Sequence, residues 1–151
     1  LWNKTSGVDQ VINCLENMSE SDMAVLGFMD IDNFKSVNDT YGHETGVFWI
    51  REVATALQEM CGPSDIACRY GGDEYILFLQ NIGDREELTA RIEGFRKKIH
   101  DKAEEKGQDV HCSIGLYRVK GAGRKLAECI MISDGLLYQA KKNGKDTYVI
   151  G

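Results

Sequence analysis

The strongest constraint on this chain is the run Arg69-Tyr70-Gly71-Gly72-Asp73-Glu74-Tyr75, a polar turn between two apolar stretches, Asp65-Ile66-Ala67-Cys68 and Tyr75-Ile76-Leu77-Phe78-Leu79. It predicts a β-hairpin whose tip carries two carboxylates. Adjacent glycines permit backbone angles that other residues avoid, and they let a bulky charged ligand approach the main chain. A second acidic cluster, Asp30-Ile31-Asp32, ends another apolar run. If the two strands lie side by side, Asp30 and Asp73 meet and form a pair able to hold a metal ion. The same residues have a plainer structural reading, in which Gly-Gly-Asp is a good turn and Asp30-Ile31-Asp32 ends a strand and caps a helix.

Along the chain, Ser6 is the expected cap of a helix with Val8, Val11, Ile12, Leu15 and Met18 on one face. Residues 22–30 are almost continuously apolar in the middle, as expected of a central strand buried on both faces. Asn33 to Asp39 reads as a polar connection with at most one helical turn. His43 to Cys61 carries Val47, Ile50, Val53, Ala54 and Leu57 on one side and is expected to be a long helix ended by Gly62-Pro63. After the hairpin and its exit Asn81-Ile82-Gly83-Asp84, Asp84 is a candidate cap for a second long helix, closed by Gly107. A strand over Val110 to Tyr117, a helix over Leu126 to Lys141 and a short strand over Thr147 to Ile150 complete the order. The expected fold is α+β: a mixed, mainly antiparallel sheet flanked by helices, in one domain spanning 1–151.

Net charge −6 and a pI near 5.1 exclude a basic face for nucleic acid or for direct contact with an anionic membrane. A phosphate ligand must therefore be held by a few local lysines. The five cysteines form no C-x-x-C pair and suit reduced core thiols in the cytoplasm. His43, His100 and His111 lack metal-ligand spacing.

Arg69 to Tyr75, together with Asp30-Ile31-Asp32-Asn33-Phe34-Lys35-Ser36-Val37-Asn38-Asp39-Thr40-Tyr41-Gly42-His43, resembles the GGDEF domains, bacterial diguanylate cyclases. Ser113-Ile114-Gly115 and the segment from Asp134 to Lys145 extend the likeness, with the motifs in the family's order. Leu1-Trp2-Asn3-Lys4 resembles the tail of the signature that opens such domains, so the expectation is a segment beginning just inside the domain, with a sensory or dimerising region before it. The resemblance implies a palm-like fold with the signature on a hairpin, and a reaction in which two GTP become cyclic di-GMP and two pyrophosphates. It implies Mg²⁺ (or Mn²⁺) held by Asp30, Asp73 and the backbone carbonyl of Ile31, with Asp73 or Glu74 assisting deprotonation. It also implies nucleotide contacts from Phe34, Lys35, Asn38, Gly71, Gly72, Lys141 and Lys145. Catalysis is expected to need a homodimer, each copy holding one GTP, although the isolated domain can be a monomer.

The chain departs from the family pattern in four places. Val47 stands where the family has a guanine-reading Asp, so one side of base recognition is missing and adenine becomes admissible beside guanine. The product-inhibition motif Arg-x-x-Asp is reduced to Gly62-Pro63-Ser64-Asp65, with Gly62 in place of Arg and Asp65 retained. Phe48 and Trp49 after Val47 are either core or a reshaped base pocket. Tyr75 replaces Phe, a mild change, and His111 stands where Thr is commoner. Two functions remain open: an active cyclase, and a silent GTP-binding or dimerising regulatory module.

Overall fold

The computed structural model describes residues 1–82 and 84–151, so Gly83 of the expected hairpin exit lies outside the described residues. Among the described residues, five helices, α1 (Lys4–Glu16), α2 (Phe34–Tyr41), α3 (His43–Met60), α4 (Arg85–Lys106) and α5 (Leu126–Lys142), flank five strands. These are β1 (Met23–Ile31), β2 (Ile66–Arg69), β3 (Glu74–Gln80), β4 (Cys112–Lys120) and β5 (Tyr148–Ile150). They form one sheet in the order β2-β3-β1-β4-β5, antiparallel except for the β4–β5 pair. The α+β class read from the sequence is the one observed.

The continuous apolar run of β1 has its reason in this order, because β1 is central and covered on both faces. Ala24, Leu26 and Phe28 join Ile76, Phe78 and Val119 under Val11 and Leu15 of α1 and Cys129 and Leu137 of α5. Val25, Met29 and Ile31 point the other way, with Tyr75, Leu77 and Leu79, into a core closed by Trp49 and Val53 of α3 and Ile92 and Phe95 of α4. Helix α5 lies unusually close to β4: a Cβ on Gly115 would stand 2.2 Å from the Ser133 carbonyl oxygen. Only glycine admits that approach, which brings the C-terminal end of α5 toward the end of β1.

Three local expectations are corrected. The cap of α1 is Asn3, whose side chain accepts from the Ser6 N–H at 2.9 Å, and Ser6 lies inside the first turn. The Asn33–Asp39 connection is a full two-turn helix, because Phe34, Val37 and Tyr41 supply a short apolar face that the polar composition hides. Asp32 caps nothing; Asn33 precedes α2 and makes no side-chain capping bond. Asp84 does cap α4, accepting from Glu87 N–H at 2.8 Å, and Gly107 ends that helix with φ of 63°. The five cysteines are free, and burial pushes the Cys61 and Cys68 thiols up to about 11, which keeps them unreactive.

Candidate functional site

The turn between β2 and β3 is pinned by its own neighbours. Arg69 donates through Nε to the carbonyls of Gly71 (3.1 Å) and Gly72 (3.0 Å), and a second nitrogen reaches the Gly72 carbonyl at 2.7 Å. Tyr70 N–H donates to the Glu74 carbonyl at 2.8 Å. The two glycines permit left-handed angles but do not use them. Gly72 instead faces open space where a Cβ would stand, while a Cβ on Gly71 would meet the Glu74 carboxylate at 2.6 Å. Glycine here therefore clears room above the main chain, and backbone freedom is not what the turn demands.

Strands β1 and β3 are neighbours, with Asp30 opposite Glu74, and Ile31 N–H donates to the Asp73 carbonyl at 3.2 Å. The two acidic segments thus meet at one corner of the sheet. Lys141, delivered by α5, bonds Asp30 Oδ2 at 2.5 Å. Asp30 Oδ1 is buried and has no partner among the described residues. Burial, then the nearby charges of Asp73 and Asp32, push the Asp30 carboxyl up to about 6 in spite of Lys141. Burial opposes the charge on Lys141, but its bond to Asp30 and the surrounding carboxylates hold its pKa above the ordinary value. An unanswered buried carboxylate oxygen beside a second carboxylate is a donor set that fits a hard divalent cation. Asp30, Asp73 and the adjacent Ile31 carbonyl are the groups available to one. No cluster of three acidic, His or Cys ligands occurs among the described residues, so such an ion would complete its shell with ligand oxygens and water.

Lys145 donates to Asn33 Oδ1 at 2.7 Å, beside the end of β1. Lys35 is exposed at the start of α2. Asn38, further along α2, turns its Oδ1 into α3, where it is buried without a partner among the described residues. A Cβ on Gly46 would stand 1.8 Å from that oxygen, so glycine at 46 is the condition for the amide to sit there. Phe34 closes the same contact, 3.3 Å from that Cβ position. Val47, half-buried on the next residue, adds no hydrogen-bonding group. Trp49 is fully buried and donates Nε1 to Gln108 at 2.7 Å, and Phe48 packs edge-on against it under Lys106. These two aromatics are core.

The retained Asp65 is already occupied. Its carboxylate accepts from Arg91 at 2.7 Å, from Gly62 N–H at 2.8 Å and from Gln80 N–H at 2.8 Å, with the side chain 3% exposed. Beside it a groove of about 650 Å³ is lined by Leu1, Trp2, Gln58, Gly62 and Pro63. That groove lies on the β2 edge, away from the hairpin tip.

Sequence reasoning missed the role of Asp32. Its buried carboxylate accepts from His111 Nδ1 at 2.6 Å, Ser113 Oγ at 2.6 Å and Asp146 N–H at 2.9 Å. Burial opposes its charge, but these donors outweigh it and hold the carboxyl below the usual range. The bond to Asp32 raises the His111 pKa, burial notwithstanding. A signal existed: Asp30 and Asp32, like His111 and Ser113, are spaced two apart, the period of one strand face, where the paired ends of β1 and β4 run out.

Together these features define an α+β sheet domain that presents a carboxylate pair and lysines at one corner, a donor set for a cation-bound polyphosphate. Residues 1–147 match the family described as "Diguanylate cyclase, GGDEF domain", and the chain belongs to that family. It is 35% identical over 133 residues to diguanylate cyclase DosC of Escherichia coli, covering 86% of this chain and 28% of that protein. It is 35% identical to diguanylate cyclase VdcA of Vibrio cholerae over 80% of this chain and 37% of that one. The chain thus spans about a third of the length of these relatives. Among solved structures, the GGDEF domain of DgcB from Caulobacter crescentus, in complex with c-di-GMP, superposes with TM-score 0.86 at 26% identity, covering 99% of this chain and 91% of that one. Diguanylate cyclase SiaD of Pseudomonas aeruginosa, in complex with its activator SiaC, gives 0.86 at 26% identity over all of this chain and 59% of that one. Among the described residues, no helix is long and apolar enough to cross a membrane.

Proposed function

We propose that residues 1–151 act as a single diguanylate cyclase domain, condensing two GTP into cyclic di-GMP with release of two pyrophosphates. The observation that carries this reading is the Asp30 corner: a buried, unanswered carboxylate oxygen beside Asp73, with Lys141 already on the other oxygen. A divalent cation, Mg²⁺ or Mn²⁺, held by Asp30, Asp73 and the Ile31 carbonyl would neutralise triphosphate charge and lower the pKa of the attacking 3′-hydroxyl. The chain's own residues do the rest. Lys35, Lys141 and Lys145 take phosphate oxygens as point charges on flexible stems. Gly72 leaves the hairpin backbone open to the phosphates, and Gly71 makes room beside it for the Glu74 carboxylate. Asp73 and Glu74 are the carboxylates assigned to the nucleophile's proton, and Asn38 with Phe34 forms the base side of the site. The 3′-oxygen bonds to the α-phosphorus as the pyrophosphate oxygen leaves. Since each copy holds one nucleotide, two copies must face each other, a homodimer brought together by a sensory or dimerising region in the cytoplasm.

Product inhibition through Arg-x-x-Asp is absent in this proposal. Support comes from Asp65, whose carboxylate is taken up by Arg91 and two backbone N–H groups. A second reading is favoured by one observation: Val47 offers no acceptor beside the orphaned Asn38 oxygen. In that reading base selectivity is relaxed toward adenine, or the domain binds GTP without turnover. The deciding experiment incubates the artificially dimerised domain with Mg²⁺ and GTP, ATP or both, and identifies products by mass spectrometry. Cyclic di-GMP supports the first reading, a mixed dinucleotide the relaxed site, and no dinucleotide under any condition removes the enzyme.

A further inference from the structure

Gly144, Lys145 and Asp146 run through three consecutive positive φ angles, 112°, 64° and 46°. Glycine takes such angles freely and Asp tolerates them, but Lys takes them rarely, and a run of this kind persists where its surroundings hold it. The holding groups converge on Asp146. Its N–H donates to Asp32 Oδ2 at 2.9 Å, its carbonyl accepts from Arg96 at 2.7 Å, and its carboxylate meets His100 Nε2 at 2.7 Å. Asp32 cannot yield, because its side chain is 0% exposed and locked by His111 and Ser113. A carboxylate only accepts, so His111 Nδ1 carries the proton here.

The turn has a consequence for the site. Asp146 follows Lys145 in the chain, and Asn33 follows Asp32. The Asp32–Asp146 bond is therefore one rung of a ladder whose next rung is Lys145 Nζ on Asn33 Oδ1, 2.7 Å. Lys145 N–H also closes the end of α5 on the Ala140 carbonyl at 3.1 Å, so the turn is held by the helix end on one side and by the contacts of Asp146 on the other. We propose that Asp32 is a positioning residue for the phosphate site: it clamps Asp146 N–H and so sets the turn that presents Lys145. The phosphate role of Lys145 rests on the nucleotide reading above, whereas the clamp does not.

The test pairs two measurements on the intact chain. Hydrogen exchange at the Asp146 amide should be slow in the wild type and fast in Asp32→Asn, with protection along β1 and β4 retained. Binding is read with inorganic tripolyphosphate and Mg²⁺, which removes the base from the question, and then with GTP. Asp32→Asn and Lys145→Ala should each weaken tripolyphosphate by about tenfold, the scale of one charge-assisted hydrogen bond, and the double variant should be no weaker than Lys145→Ala alone. Ser113→Ala removes a donor from the same carboxylate but leaves the clamp, so at an equal loss of Tm it should alter affinity less than Asp32→Asn. If Asp32→Asn does not fold, Arg96→Ala releases the same turn from the α4 side and should show the same dependence on Lys145. Additive losses in a wild type that binds, or unchanged exchange at Asp146, overturn the positioning role. A wild type that binds neither probe overturns the nucleotide reading and with it the task assigned to Lys145, while exchange at Asp146 still decides the clamp.

Discussion

Asp30, Asp73 and Lys141 form one region of the site and Asn38, Gly46 and Val47 another; each buries one oxygen without a partner among the described residues, Asp30 Oδ1 and Asn38 Oδ1, and the two differ in what stands around it. Around Asp30 the charges are dense and braced: Lys141 on one oxygen, Asp32 locked by three donors two residues on, and Lys145 seated on Asn33. Around Asn38 a single amide oxygen is buried in a notch made by the missing side chain of Gly46, and the neighbouring Val47 answers nothing. A buried acceptor without a donor costs about 1–3 kcal/mol, which a ligand N–H can recover. The contrast teaches that, under the proposed function, the groups offered to the phosphates and those offered to the base are separately built, so a change in one need not carry the other with it.

Asp73→Asn attacks the charged region and should have the largest effect. Dinucleotide formation by the dimerised domain, with whichever of GTP or ATP it accepts, should fall by about 10²–10³-fold, the scale for removing one electrostatic stabiliser of a transition state. Product formation within tenfold of wild type would mean that Asp73 is a turn residue only. Val47→Asp restores an acceptor to the other region. GTP affinity should rise by about tenfold while the Mg²⁺ dependence stays put, in keeping with a charge-assisted hydrogen bond at a buried edge. An unchanged affinity would show that the base is read elsewhere.

The brace beneath the charged region is open to a pH test. The folded pKa of His111 lies above its ordinary value of 6.5, chiefly because Asp32 bonds it, so the pair's contribution is complete below that value and fades as pH rises through the raised one. Asp32, whose pKa is lowered, contributes above 3.8 and loses its share as pH falls through the depressed value. The Tm gap between wild type and His111→Gln should therefore be wide below pH 6.5 and close as the pH rises through the raised value. A gap that widens with pH would contradict a protonated His111.

The hairpin and the central strand were legible because each is announced locally, by apolar runs flanking Gly71-Gly72 and by an unbroken apolar β1. The meeting of Asp30 with Asp73 followed from placing those two strands side by side. The brace was not legible in the same way: Asp32 finds His111, Ser113 and Asp146 at separations of 79, 81 and 114 residues. Only the two-residue spacing of polar groups at two strand ends hinted at it. Helix α2 was shortened in the reading because three apolar positions among polar ones do not separate a two-turn helix from a loop. The angle of Lys145 had no sequence signal, since lysine rarely takes it and the groups that fix Asp146 beside it come from distant elements.

Tyr75 joins the two regions and gives the finest test of their independence. It lies in β3, one residue beyond Glu74, and its hydroxyl crosses the core to the Ile50 carbonyl of α3 at 2.7 Å. Helix α3 carries Gly46 and Val47, so this bond is a direct strut between β3 and the helix that the proposed function places beside the base. Because the acceptor is a helix carbonyl with its own lone pair to spare, Tyr75→Phe leaves no donor stranded and should cost only about 0.5–1.5 kcal/mol of stability, read from urea unfolding. If the regions are separately built, turnover at saturating nucleotide should stay near wild type, and any change should fall on KM, where α3 meets the base. A fall in kcat at unchanged KM would instead show that the strut holds the carboxylates in register, and that the charged region depends on α3 after all.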